Sequence, residues 1–324
     1  MSTILQDLRF AIRQLLKSPG FTTVAVLTLA LGIGTNTTFF SVIDGLLLSP
    51  PANVMAPDRL VTLYQTLAKG GPDSYMPTWS YPDYLYFQNG NAVFSELAAY
   101  SLVPVSVGVE GSSEQTFGEI VSGNYFAARG TGPLLGRFFM TKQDDAEAPS
   151  LVAIVSYEFW RNRFASDPTV VGKPLTINGH IYTVIGVAPK ETRDVGLQMA
   201  PALWVPLSAQ PAINWPENGA LANRGTGWLT VLGRLKPDVS RQQAASNLNS
   251  LARRLDLDYP AVEQGRGVSV ETATALPPFF RGSIVGFVVL LQVLGALLLL
   301  IPCANVAGLI SARSWSRQIG RAHV

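Results

Sequence analysis

Two long uncharged stretches constrain this chain more than anything else in it. Between Lys17 and Asp44 lie twenty-six residues without a charge, and between Arg281 and Arg313 lie thirty-one. Built as a helix at 1.5 Å per residue, the shorter stretch spans about 39 Å, more than the ~30 Å hydrocarbon core of a bilayer. The apolar runs Val24–Leu31 and Ile284–Ile301 sit inside them. One such stretch would also suit a long buried helix in a soluble protein. Two of them, bracketing everything else, read as membrane spans. Composition agrees, with 14% charged residues against about 25% in average soluble domains.

The ends set the orientation. In residues 1–17, Ile4, Leu5, Leu8, Ala11, Ile12, Leu15 and Leu16 recur at helical spacing opposite Arg9, Arg13 and Lys17. That pattern is an amphipathic helix lying in the membrane interface, broken by Ser18-Pro19-Gly20. No small-x-small cleavage site follows, so the first span, 18–48, reads as uncleaved. Positive residues flank both spans on their outer sides, Arg313 and Arg317 following the second. Both ends are therefore expected in the cytoplasm, with residues 49–282 outside it. The net charge of +2 gives no reason to expect a nucleic-acid partner.

Small residues mark where the spans could pack on other helices: Ala30 and Gly34 in the first, Gly282 and Gly286 at the start of the second. The segment between the spans reads as a folded domain in which strands and helices alternate. Strands are expected at Arg59–Gln65, Leu102–Val109, Phe117–Ser122, Val152–Ser156, Trp228–Leu235 and Gly267–Ala273, and short helices at Tyr81–Asn89 and Tyr157–Phe164. Asn178-Gly179 joins Pro174–Asn178 to His180–Val187 in a hairpin. Ser240 with Gln243 forms a capping box for a helix through about Leu257. Ala209–Gly227 reads as a long mobile loop.

The sequence carries none of the common catalytic motifs. No phosphate-binding loop, nucleophile elbow or His-Glu-x-x-His motif occurs. His180 falls in the hairpin, Asp144-Asp145-x-Glu147 lacks the rest of a calcium loop, and the single cysteine, Cys303, lies in the second span. The chain is not expected to be an enzyme, and no catalytic residue, cofactor or metal site is assigned.

Several motifs, in order, resemble MacB/FtsX-like ABC transporter permeases. They are Asp7-Leu8-Arg9-x-Ala11-x-Arg13-Gln14-Leu15, Lys17-Ser18-Pro19-Gly20-Phe21-Thr22, Ser80-Tyr81-Pro82-Asp83, Val121-Ser122-x-Asn124-Tyr125-Phe126, Leu135-Gly136-Arg137, Gly172-Lys173-Pro174-Leu175-Thr176-Ile177-Asn178-Gly179, Arg234-Leu235-Lys236-Pro237 and Cys303-Ala304-Asn305-Val306-Ala307-Gly308-Leu309. The pattern is most similar to the acidobacterial duplicated orphan permease branch. The resemblance implies an α+β membrane protein: two transmembrane helices flanking a mixed α/β periplasmic core, with a porter-like part and a lobe inserted over about Thr116–Leu221. It also implies a cytoplasmic ABC ATPase as partner, a homodimer or intramolecular pseudo-dimer, and an export or mechanotransmission role in the bacterial inner membrane. Family members continue past the second span (283–312) through a coupling segment, here begun at 313–324 with Arg313 and Arg317, into further helices. The chain stops fourteen residues after Ile310, and Ile319–Val324 back-translates to a sequencing adapter, so an N-terminal fragment is expected. The competing expectation is a two-span anchored periplasmic scaffold without energy coupling.

Overall fold

The computed structural model describes residues 54–67, 75–109, 112–140, 150–190, 192, 200–216, 219–263 and 265–273, with separate helical positions within 13–41 and 283–304. The chain divides into two compact units, Met1–Leu48 with Phe280–Val324, and Ser49–Phe279. In the first unit every described position is helical. Thr23, Thr37, Thr38 and Ser41 each donate a hydroxyl to the carbonyl four residues back, at 2.8–2.9 Å. Among the described residues no helix is long and apolar enough to cross a membrane. The two expected spans lie partly outside the described residues.

The second unit contains strands β1 (Leu60–Leu67), β2 (Tyr75–Met76), β3 (Phe94–Val109), β4 (Ser112–Val121), β5 (Leu135–Gly136), β6 (Val152–Val155), β7 (Pro174–Ile177), β8 (His180–Val187), β9 (Leu203–Pro206), β10 (Thr230–Leu235) and β11 (Arg266–Thr272). Its helices are α1 (Tyr81–Gly90), α2 (Tyr125–Arg129), α3 (Tyr157–Arg163), α4 (Gln210–Ile213), α5 (Arg241–Asp258) and α6 (Pro260–Glu263).

The ends of this unit build a βαββαβ motif, β1-α1-β3 and β10-α5-β11. Its sheet order is β11-β1-β10-β3, with every neighbour antiparallel. That is a ferredoxin-like arrangement. The two-residue period decides which side chains meet the helices. Val61 and Leu63 of β1 and Val231 of β10 join Tyr84 and Phe87 of α1 and Leu248, Leu251 and Leu255 of α5 in one core. Leu60 and Leu232 point to the opposite face, into a second core with Tyr125, Phe126 and Trp204. Local chemistry starts both helices of this motif. The Ser80 hydroxyl accepts from the Asp83 N–H with Pro82 in the first turn, and Ser240 with Gln243 makes the expected capping box of α5.

Everything between β3 and β10 forms the inserted lobe. Starting from β3, the strands β4, β9, β6, β8 and β7 pair in succession, and β7 pairs back onto β3. Six strands thus close a ring, which leaves the lobe few free edges. Val103, Val105, Leu175, Ile177, Tyr182, Val184 and Leu203 are buried along these strands. Gly118 makes the ring narrow: a Cβ there would stand 2.9 Å from Leu203 Cδ1 and 3.4 Å from Val105 Cγ2. The expected hairpin turn is present, with φ of 48° at Asn178 and 83° at Gly179. Asn178 also accepts from the Ser106 N–H at 2.8 Å and donates its own N–H to Ser106 O at 2.9 Å.

β3 belongs to both lobes. It pairs with β10 up to Tyr100 and with β7 from Val107. Pro104 falls in the gap between them. By alternation from Ser106 its nitrogen faces that gap, where an N–H would have no strand partner. The lobe begins with the β3–β4 hairpin, ahead of Thr116. The segment expected as a mobile loop, 209–227, carries α4 instead, and Gln210, Ile213 and Ala220 are buried. Its apolar side chains supply the burial that a solvated loop lacks.

Candidate functional site: the junction of the incoming and outgoing chains

The incoming and outgoing chains of the core unit meet at one corner of the ferredoxin-like sheet. β1 and β11 are paired from Val61↔Thr272 to Leu67↔Arg266, and Ala273 donates its N–H to Leu60 O at 3.2 Å. A short strap leads into β1. Ala56 holds φ 45° ahead of the 3-10 turn Pro57–Arg59, a left-handed conformation that non-glycine residues seldom adopt. The strap is tied at both ends. Met55 donates its N–H to Arg129 O at 3.1 Å, and Arg59 donates through Nε and Nη2 to Leu235 O at 2.9 and 2.5 Å. Arg234 in turn donates Nε to Ala128 O at 2.6 Å. One corner therefore joins β1, β10, β11 and α2.

Behind it lies a buried polar network. Arg129 is wholly buried and donates to the Tyr125 hydroxyl at 3.1 Å. Burial works against its charge, but Tyr125 and then Glu119 outweigh that, and the guanidinium is held above its ordinary pKa. Glu119, also buried, accepts from Trp204 Nε1 at 2.5 Å. Ser122 and Asn124 finish the edge of β3: Ser122 Oγ accepts from the Ala99 N–H at 3.0 Å, and Asn124 Nδ2 donates to Leu97 O at 3.0 Å.

A second joint holds the returning chain. Arg224 pairs with Asp83 at the start of α1, their side chains 17% and 1% exposed, and its guanidinium lies 4.0 Å over the Tyr259 ring. Next to it, Trp79 and the 228–229 segment exchange backbone hydrogen bonds of 2.7–3.0 Å. Three elements distant in sequence are fixed there: the α1 start, the chain returning from the inserted lobe, and the end of α5.

Among the described residues no group of His, Cys, Asp or Glu could hold a metal ion. A shallow cleft lined by Gln65, Trp79, Phe87 and Arg266 encloses about 220 Å³ including open solvent.

Of the residues expected to pack helices, Ala30, Gly34 and Gly286 are helical and exposed, and a Cβ at Gly34 or Gly286 would meet nothing within 4 Å. Gly282, Arg313 and Arg317 lie outside the described residues. Asp83, Arg129, Arg224, Arg234 and Arg59 are not among the site residues expected from the sequence. A signal existed for Arg234, a lone cation inside an apolar strand run, and for Arg129, which directly follows the apolar Tyr125-Phe126-Ala127-Ala128. Nothing local marks Arg224, whose partners are 141 and 35 positions away in sequence.

The model of one family, the MacB-like periplasmic core domain, matches residues 22–251. A domain assigned to a permease from Porphyromonas gingivalis is similar in structure, with a TM-score of 0.51 and 15% identity over 69% of this chain and 95% of that one. The periplasmic region of MacB from Actinobacillus actinomycetemcomitans gives 0.46 and 15% identity over 71% and 92%. The extracellular domain of the noncanonic ABC-type transporter YknZ from Gram-positive bacteria gives 0.46 and 14% over 64% and 98%. No curated protein matches the chain.

Proposed function

We propose a function from one premise: the chain belongs to the family of MacB-like periplasmic core domains. It serves as a permease subunit of an ABC-type export or mechanotransmission system. A separate cytoplasmic ATPase supplies the energy, and this chain contributes no catalytic group. The observation that carries the reading is the corner where Leu60 and Ala273 meet. Displacements of the two chains that flank the core unit in sequence would enter adjacent strands β1 and β11, and through β10 and β3 would reach the inserted lobe.

Two further observations support flanking transmembrane helices. Val26, Leu27, Ile33, Phe287, Leu290 and Leu300 are all more than half exposed, an apolar surface that water disfavours and lipid accepts. The hydroxyls of Thr23, Thr37, Thr38 and Ser41 are satisfied inside the helix, as a hydrocarbon setting requires. The basic flanks support cytoplasmic termini and an extracytoplasmic core. Small residues at Ala30, Gly34, Gly282 and Gly286 support contacts with further helices, in a dimer or a duplicated chain. Arg313 and Arg317 fit the segment where the ATPase docks. The run of motifs supports the acidobacterial orphan branch.

The test is affinity purification of the full chain in nanodiscs from its native membrane. An ABC ATPase recovered in constant proportion, with turnover altered by the chain, upholds the reading. Recovery of the chain with no ATPase, in detergents and nanodiscs alike, would move the assignment to an anchored extracytoplasmic scaffold.

A further inference from the structure

We propose that Arg59 and Arg234 form a binding site for a phosphate-type oxyanion, beneath the strap that carries Met55. Strand register brings the two together: Leu60 faces Arg234 across the β1–β10 pair, and Arg59 immediately precedes Leu60. Arg234 is 8% exposed, and its Nη2 is buried without a hydrogen-bond partner among the described residues. Capping of the last turn of α2 explains its Nε, which reaches Ala128 O, but leaves Nη2 unexplained. A buried unpaired donor on a charged group is costly and asks for an acceptor.

The neighbouring charges sharpen the point. Among the described residues the ion pairs are made by Arg161, Arg163, Lys173 and Arg224; Arg59 and Arg234 are in none. Glu96 lies opposite Arg234 on β3, but its Oε2 accepts from Asn124 at 2.8 Å. Asp58 beside Arg59 is exposed. Burial first, and the charge of Arg59 second, lower the pKa of Arg234. Two crowded cations with no anion between them are relieved by one that bonds both. A tetrahedral oxyanion offers enough acceptors to bridge two guanidinium forks, with more oxygens to share between them than a carboxylate has.

Backbone forms the wall of the site. Gly130 has φ 68°, and a Cβ there would stand 2.7 Å from Met55 Cβ and 3.4 Å from Arg234 Nη2. Arg59 is half-buried and opens the pair to solvent. Met55 of the strap lies across Gly130 from Arg234 Nη2 and is held by a backbone hydrogen bond of 3.1 Å to Arg129 O; in the proposed site this end of the strap lifts to admit the anion. The oxyanion could be a lipid headgroup phosphate or a free phosphate; the chemistry recognised is the same.

The experiment uses the full chain in nanodiscs. One arm titrates inorganic phosphate against sodium chloride at equal ionic strength and follows thermal melting of phosphatidylcholine nanodiscs. The other measures, by native mass spectrometry, how much phosphatidylglycerol stays on the chain from mixed-lipid nanodiscs. R59Q is the test variant, because Arg59 is half-exposed, and R161Q on the surface of α3 controls for lost charge. A phosphate-specific rise in melting temperature, weakened about tenfold or more in R59Q and unchanged in R161Q, establishes the free-anion source. Phosphatidylglycerol retained by R161Q and lost by R59Q establishes the headgroup source. If R59Q matches R161Q in both arms, the proposal is wrong. ATPase recovery does not depend on either arm, so this inference and the proposed function fail separately.

Discussion

Removing Arg224 should be among the most damaging single changes in the core unit. Its partner Asp83 is wholly buried, and Asp83 Oδ2 already has no hydrogen-bond partner among the described residues. Arg224→Ala would leave a carboxylate in a dry site with no cation, which costs about 3–5 kcal/mol for a buried pair. Loss of the stacking over Tyr259, at 4.0 Å, adds about 1 kcal/mol. For a domain of this size, 1 kcal/mol moves the melting temperature by about 2–4 °C, so a fall of roughly 8–24 °C is expected. Thermal melts of the full chain, followed by near-ultraviolet dichroism, would report it. The double variant D83N/R224A removes the buried charge together with its partner, so it should recover at least ~2 kcal/mol of the single-variant loss. Arg224→Lys keeps the charge but not the planar face, and should fall between. An R224A variant within about 1 kcal/mol of wild type, or a cycle with no coupling, would refute the reasoning, because Asp83 would then have to be compensated elsewhere.

Three further outcomes follow from the same structure. Ser240→Ala removes the hydroxyl that caps α5 and should cost about 0.5–2 kcal/mol in denaturant unfolding. Asn249 accepts from the Val268 N–H at 3.0 Å and donates to Val268 O at 2.8 Å, covering the outer edge of β11; Asn249→Ala should both destabilise and give concentration-dependent association in light scattering, through the freed strand edge. Asp167 is held at a pKa of about 2, by Lys173 first and by Thr169, so it is depressed below its unfolded value. Its contribution is therefore present above about pH 4 and lost as pH falls towards 2, and Asp167→Asn should flatten that acid limb in a pH series of thermal melts.

What was legible in the sequence was local. The Ser240/Gln243 box, the Ser80-Tyr81-Pro82-Asp83 helix start and the Asn178-Gly179 turn each depend on residues within a few positions, and each stands where expected. β9 (Leu203–Pro206) was not expected: four residues ending in proline are too short for a period, and the strand exists because β4 and β6 flank it. The first half of β3, Phe94–Tyr100, contains Glu96, Ala98 and Ala99, weak strand formers that are held by β10. Ring closure through β7 rests on two residue pairs, Val107↔Ile177 and Gly108↔Thr176, which no alternation pattern announces. The corner at Leu60 and Ala273 was hidden for the same reason. Arg59 reaches Leu235 across 176 positions and Arg234 reaches Ala128 across 106, so only the folded sheet brings them together.

The central claim is that movement delivered to the paired chains at Leu60 and Ala273 reaches the inserted lobe. The most direct measurement is a spin-label distance between Lys236, beside that corner, and Ile181, exposed on the ring, in the full chain reconstituted with its ATPase. The account predicts a narrow Lys236–Ile181 distance that stays unchanged between nucleotide-free and ATP-trapped states, while both labels shift together relative to a third label on the bilayer surface. A core unit whose distance to the bilayer does not respond to nucleotide, or whose two lobes move independently, would contradict it.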